Sequence, residues 1–210
     1  MLPVVTDDGF LIEGPENAPS FVFAHGAGGA MDTPFMNRVA AGLAERGVRV
    51  IRFEFPYMRA RREGRRSGAP DRQPILLQSW RDAIRLSGAV RPFIGGKSLG
   101  GRMASMIADE MGAAGLICFG YPFHPPGNPQ RLRVEHLQSI ATPTLIIQGE
   151  RDPFGTSQEV AEYGLAKTIS IEWLPDGDHS LRPRRASGST ELGNITRAID
   201  AAAAFILGRG

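Results

Sequence analysis

Phe93-Ile94-Gly95-Gly96-Lys97-Ser98-Leu99-Gly100-Gly101-Arg102 is the stretch on which the reading of this chain turns. It sets a serine inside G-x-S-x-G, after a strand-like run and before a helix-like one. A strand that turns sharply into a helix around a serine brings its backbones too close for side chains two residues before and after it. Glycine is required there, and the resulting elbow projects the hydroxyl. The helix that follows turns its N-terminus and free N–H groups toward whatever the serine attacks, which suits a developing oxyanion. Ser98 is therefore a candidate nucleophile. Gly96-Lys97-Ser98 also resembles the end of a phosphate-binding G-x-x-x-x-G-K-S loop, but that pattern needs glycine at position 91. Arg91 stands there, and residues 91–94 read as strand where a phosphate loop should already be turning.

Outward from the elbow, strand-like and helix-like segments alternate. Residues 1–13 read as a hairpin around Thr6-Asp7-Asp8-Gly9. Residues 20–24 form an apolar run of the kind covered on both faces of a sheet, ending in His25-Gly26-Ala27-Gly28-Gly29. A helix is expected over 34–46, capped by Asp32 or Thr33, with proline in its first turn and Gly47 at its exit. Strands are expected at 48–53, 92–95, 115–119, 144–148 and 169–173, and helices at 75–90, 99–111, 131–140, 158–164 and 192–207. This spacing implies a mostly parallel sheet with helices on both faces.

With 210 residues and no internal repeat or linker, the chain is expected to form one domain, residues 1–210. Its single cysteine, Cys118, lies in an apolar run and reads as a buried structural thiol that forms no internal disulfide. The sequence shows neither a cleavable leader nor an apolar run approaching the roughly 18 residues of a membrane span, so a soluble, cytoplasmic protein is expected. A net charge of +2 gives no support to a nucleic-acid partner, despite a pI near 9.0. The basic residues are uneven, however. Arg59, Arg61, Arg62, Arg65, Arg66 and Arg72 crowd one segment, read as a loop, with only Glu63 and Asp71 against them.

A serine hydroxyl is a poor nucleophile near neutral pH unless a histidine takes its proton and an acid orients that histidine. There are four histidines. His25, His124 and His179 follow strands, at the sheet edge where working residues gather, whereas His136 reads as a helix-surface residue. Glu150 and Asp152 both follow the strand at 144–148. Serine, then acid, then histidine is the order an alpha/beta-hydrolase sheet delivers, and it selects Ser98, Asp152 and His179. The oxyanion needs one backbone donor from the residue after the nucleophile and one from the loop after an earlier strand; Leu99 and Ala27 occupy those places. His25 then shapes the loop.

Five stretches in register, His-Gly-Ala-Gly-Gly, Phe-Glu-Phe-Pro-Tyr-Met, Gly-Gly-Lys-Ser-Leu-Gly-Gly-Arg, Gly-Glu-Arg-Asp-Pro-Phe-Gly and Gly-Asp-His-Ser, resemble a small uncapped subgroup of the alpha/beta hydrolases. That subgroup is similar to dienelactone-hydrolase-like proteins. Within it the sequence also resembles the hydrolase-like domain of eukaryotic testis-expressed and chromatin-complex subunit proteins. The resemblance covers nearly the whole chain. It implies Ser98 as nucleophile, Asp152 as acid, His179 as base and Ala27 with Leu99 as oxyanion donors, acting on a small-molecule ester or thioester without metal or cofactor. Dienelactone hydrolases themselves carry cysteine where this chain has Ser98, so their substrate does not transfer. The same resemblance leaves a second class open, a non-catalytic binding or scaffold protein on a hydrolase sheet.

About twenty residues separate Phe119 from the strand at Thr144, too few for a lid domain, so the site should be open. Candidate substrate contacts are Tyr57, Phe123 and Phe154, with Arg61 and Arg62 offering guanidinium forks to an anionic substrate.

Overall fold

The computed structural model describes residues 4–65 and 69–209. The expected strand residues Leu2 and Pro3, and Arg66 of the arginine-rich segment, lie outside the described residues. Eight strands form one sheet in the order β1-β2-β4-β3-β5-β6-β7-β8, where β1 is Val4–Val5, β2 Leu11–Glu13, β3 Ser20–Ala24, β4 Arg49–Phe53, β5 Phe93–Lys97, β6 Gly115–Phe119, β7 Thr144–Gly149 and β8 Ile169–Leu174. β1 and β2 pair antiparallel, as does β2 with β4; every pair from β4 through β3 to β8 is parallel. The central strands are buried along almost their whole length, as parallel strands covered on both faces must be.

Two apolar clusters sandwich the sheet. On one face α1 (Pro34–Glu45) and α6 (Glu191–Leu207) bring Val39, Leu43, Ile195 and Ile206 onto Phe21, Phe23 and Ile117. On the other, α3 (Gln73–Leu86) and α4 (Leu99–Ser105) bring Trp80, Ile84 and Met103 onto Val22, Ile94 and Cys118. Trp80 is fully buried and its indole N–H donates to the Gly100 carbonyl at 3.2 Å, tying α3 to the start of α4. Truncating such a ring costs about 3–5 kcal/mol. α1 is capped by Thr33, whose hydroxyl accepts from the Met36 N–H, with Pro34 in the first turn.

Several expected helices are shorter. α4 stops at Ser105 because the Ser105 hydroxyl takes the Arg102 carbonyl, and the chain continues through tight turns to Gly112, where φ is +59°. The helix expected at 131–140 is a single 3-10 turn, Glu135–Gln138, and that at 158–164 contracts to α5, Ser157–Val160, closed by a capping box of Thr156 and Glu159. One helix is gained. α2, Pro56–Arg62, occupies the start of the segment read as an arginine-rich loop.

Candidate active site

β5 ends at Lys97, and Ser98 turns the chain into α4 with φ +49° and ψ −111°, a strained conformation for a residue with a side chain. The flanking glycines are sterically required. A Cβ on Gly96 would lie 2.6 Å from the Ala24 carbonyl oxygen, and one on Gly100 would lie 2.6 Å from that of His25. Gly101 meets a further wall, since its Cβ would fall 3.1 Å from the Cys118 sulfur. The elbow is fixed from below by close approach of β3 and β6.

Ser98 Oγ lies 2.8 Å from His179 Nε2, and His179 Nδ1 lies 2.7 Å from Asp152 Oδ2. Asp152 is fully buried. Its Oδ2 also accepts from the Gln148 side-chain amide at 2.9 Å, and its Oδ1 from the Phe154 N–H at 2.9 Å. The neighbouring acids are engaged elsewhere: Glu150 with the Asp176 N–H, Asp176 with Arg184 and Arg151, and Asp178 with the N–H groups of Ser180 and Arg182. Burial holds His179 below the ordinary imidazole range; the hydrogen bond to Asp152 acts against this and the Lys97 ammonium acts with it. The Phe154 ring lies over the imidazole with centroids 4.2 Å apart.

Beside Ser98, the loop 25–33 after β3 is held from the outside. His25, fully buried, accepts the Phe55 N–H at Nε2 (3.1 Å) and donates from Nδ1 to the Gly26 carbonyl (2.7 Å). Burial lowers its pKa, consistent with this neutral tautomer. The Tyr57 hydroxyl faces the Gly26 and Ala27 carbonyl oxygens at 3.2 and 3.1 Å. Glu54 accepts the Met31 N–H, and Arg62 bridges Glu54 to both oxygens of Asp32. A Cβ on Gly26 would lie 3.7 Å from that of Ser98, so the loop runs against the nucleophile. Leu99 opens α4, where N–H groups have no intrahelical acceptor, and Ala27 lines the cavity.

A cavity of about 400 Å³ opens over Ser98 and His179. Phe35, Met36, Phe154 and Ile195 give it apolar walls, and Arg38, Lys97, Arg182 and Glu191 its charges. Of the expected substrate contacts, the structure brings Phe154 alone to this wall. Tyr57 and Phe123 are buried in the core: Tyr57 props the loop 25–33, and Phe123 packs against Tyr121 and Tyr163. Arg61 lies over the Tyr57 ring at 5.6 Å, and Arg62 is saturated by Glu54 and Asp32; neither lines the cavity. His136 is half-buried, its Nε2 2.8 Å from Ser105 Oγ, and is no surface residue. Arg38, which the sequence did not single out, sits on α1 three residues after Phe35 and has no polar partner among the described residues. Its only signal was that spacing. No cluster of His, Cys, Asp or Glu that could hold a metal occurs among the described residues, and no described helix is long and apolar enough to cross a membrane.

The family model of the alpha/beta hydrolase domain matches residues 17–207. The chain belongs to that family. Among solved structures, this alpha/beta hydrolase is similar to an alpha-beta serine hydrolase homologue from Coxiella burnetii (17% identity, 98% of this chain and 96% of that one, TM-score 0.71). It is similar also to a dienelactone hydrolase from Anabaena variabilis (18%, 100% and 99%, TM-score 0.71). A third likeness is to an alpha/beta serine hydrolase without a lid from Xanthomonas campestris (18%, 96% and 93%, TM-score 0.61). In this alpha/beta hydrolase too, residues 120–143 between β6 and β7 hold a single 3-10 turn and no inserted domain. At these identities the likeness carries the fold.

Proposed function

We propose that the protein is a serine hydrolase that cleaves a carboxylic ester or thioester through Ser98, His179 and Asp152. The observation that carries this reading is the unbroken chain of hydrogen bonds from Ser98 Oγ through the imidazole to the buried Asp152. His179 Nε2 takes the serine proton as Oγ attacks the acyl carbon, and Asp152 holds the ring in the tautomer that leaves Nε2 free and stabilises the imidazolium. The lowered His179 pKa keeps the ring unprotonated at neutral pH, as a base requires. The N–H groups of Ala27 and Leu99 receive the oxyanion. Collapse of the tetrahedral species passes the His179 proton to the departing alcohol or thiol and leaves an acyl-enzyme. Water, deprotonated by His179, then releases the acid.

The substrate we infer is a small molecule, met in the cytoplasm, in keeping with a net charge of +2 that gives a nucleic acid little to bind. Arg182 on the cavity wall pairs with Glu191, whereas Arg38 has no polar partner among the described residues, so an acyl group bearing a carboxylate is favoured beside Arg38. A fluorophosphonate probe read by whole-protein mass tests the reaction. One adduct on the native protein, absent from Ser98→Ala, is expected; no adduct, or equal labelling of both, overturns the hydrolase reading in favour of a binding protein.

A further inference from the structure

Lys97 stands directly before the nucleophile, and the ester-cleaving reading gives it no task. It ends β5, its half-buried side chain lines the cavity, and its ammonium donates to the main-chain carbonyl of His179. The ammonium also lies 5.7 Å from the centre of the Phe35 ring. Gly120 completes the arrangement. Its φ is +69°, and a Cβ there would fall 2.8 Å from Lys97 Nζ and 3.3 Å from His179 Cε1, so ammonium and imidazole edge border the same space.

We propose that Lys97 is a positioning residue for His179, fastening the histidine's main chain to β5 and setting a positive charge beside its ring. The proposal rests on the reading of His179 as the base. Nothing else described ties the His179 backbone to the strand that carries Ser98, so this one contact joins base to nucleophile independently of the hydrogen bond between their side chains. The charge matters separately. A cation near an imidazole disfavours its protonated form, extending the range in which it acts as a base toward acid. Asp152, bonded to Nδ1, and Asp178 on the adjoining loop act the other way, and Arg182 and Glu191 pair with each other on the rim. Burial brings Lys97 itself down to about 8, so it stays charged throughout the acid range in which His179 titrates. Above that pH the neutral amine still donates, and the tether persists.

Lys97→Met removes tether and charge, Lys97→Gln keeps a donor without charge, and Lys97→Arg keeps both. The test is the pH titration of the His179 ring by NMR, assigned with His179→Gln, beside the acid limb of kcat/KM on a neutral aryl ester. In the wild type both should lie below the ordinary 6.5. Loss of the charge is expected to raise both by about 0.5–1 pH unit in Lys97→Met and Lys97→Gln and to leave Lys97→Arg near wild type. Plateau kcat should fall further in Met than in Gln. An unchanged His179 titration in the Met variant overturns the proposal, and should that variant fail to fold, the same result in Gln overturns it. A wild type labelled by the fluorophosphonate with no titration shift in the variants removes Lys97 alone. A titration shift in a protein the probe never labels removes the hydrolase reading and leaves the Lys97 contact standing.

Discussion

Ser98, His179 and Asp152 hold one another directly, at 2.8 and 2.7 Å, whereas the loop 25–33 beside them is held by side chains that never reach the cavity. In the first region the groups proposed to do chemistry are also the structural links. In the second, His25, Glu54, Tyr57 and Arg62 form a scaffold for backbone N–H groups, which have no side chain with which to position themselves. Damage should therefore concentrate in the direct chain. A direct chain fails at any link, while a loop braced by several neighbours loses its shape by degrees.

Four substitutions probe that contrast. Asp152→Asn strikes the direct chain: it offers the wrong hydrogen-bond partner to Nδ1 and is expected to lower kcat by about 10³–10⁴ with the fold retained. Turnover of an activated ester measures it, and a loss under tenfold would show that the chain is not what drives the reaction. Tyr57→Phe removes one brace. It leaves the Ala27 carbonyl without its donor and the Gly26 carbonyl with His25 Nδ1 alone, so kcat should fall about tenfold, the equivalent of one hydrogen bond, with KM little changed. A loss as large as that of Asp152→Asn would erase the contrast. The smallest effect separates two arginines. Arg38→Ala is expected to raise KM about threefold for carboxylate-bearing esters and not for neutral ones, whereas Arg62→Ala, acting only through Asp32 and Glu54, should treat both substrates alike. Selectivity in the Arg62 variant would return the segment 59–72 to the substrate.

The direct chain was legible in the sequence because the elbow carries a local signature and the order serine, acid, histidine along the chain points to its partners. The elbow needs its glycines for steric reasons, and the acid and the histidine each follow a strand of the same sheet. The strands were legible for a similar reason, being short apolar runs between turn residues. The braces were not. Tyr57 and Phe123 are aromatic residues near strand ends, and nothing local distinguishes one that faces a cavity from one that faces the core. Arg62 illustrates the same gap for charge. Its partners Asp32 and Glu54 lie 30 and 8 residues away, and a count of arginines in one segment says nothing about which are already paired. α2 did have a signal, Pro56 in its first turn, which the run of charges masked.

Cys118 packs under Gly101 with its thiol fully buried and its pKa raised by that burial. It is the only thiol in the chain, and it lies directly beneath the helix that carries the nucleophile. A thiol-reactive dye therefore has a single target, and it can reach that target only when the elements packed over it, α4 among them, open. The rate of modification becomes a stopwatch for opening beneath the elbow, and where it exceeds the rate of global unfolding it reports how often that part of the core comes apart on its own.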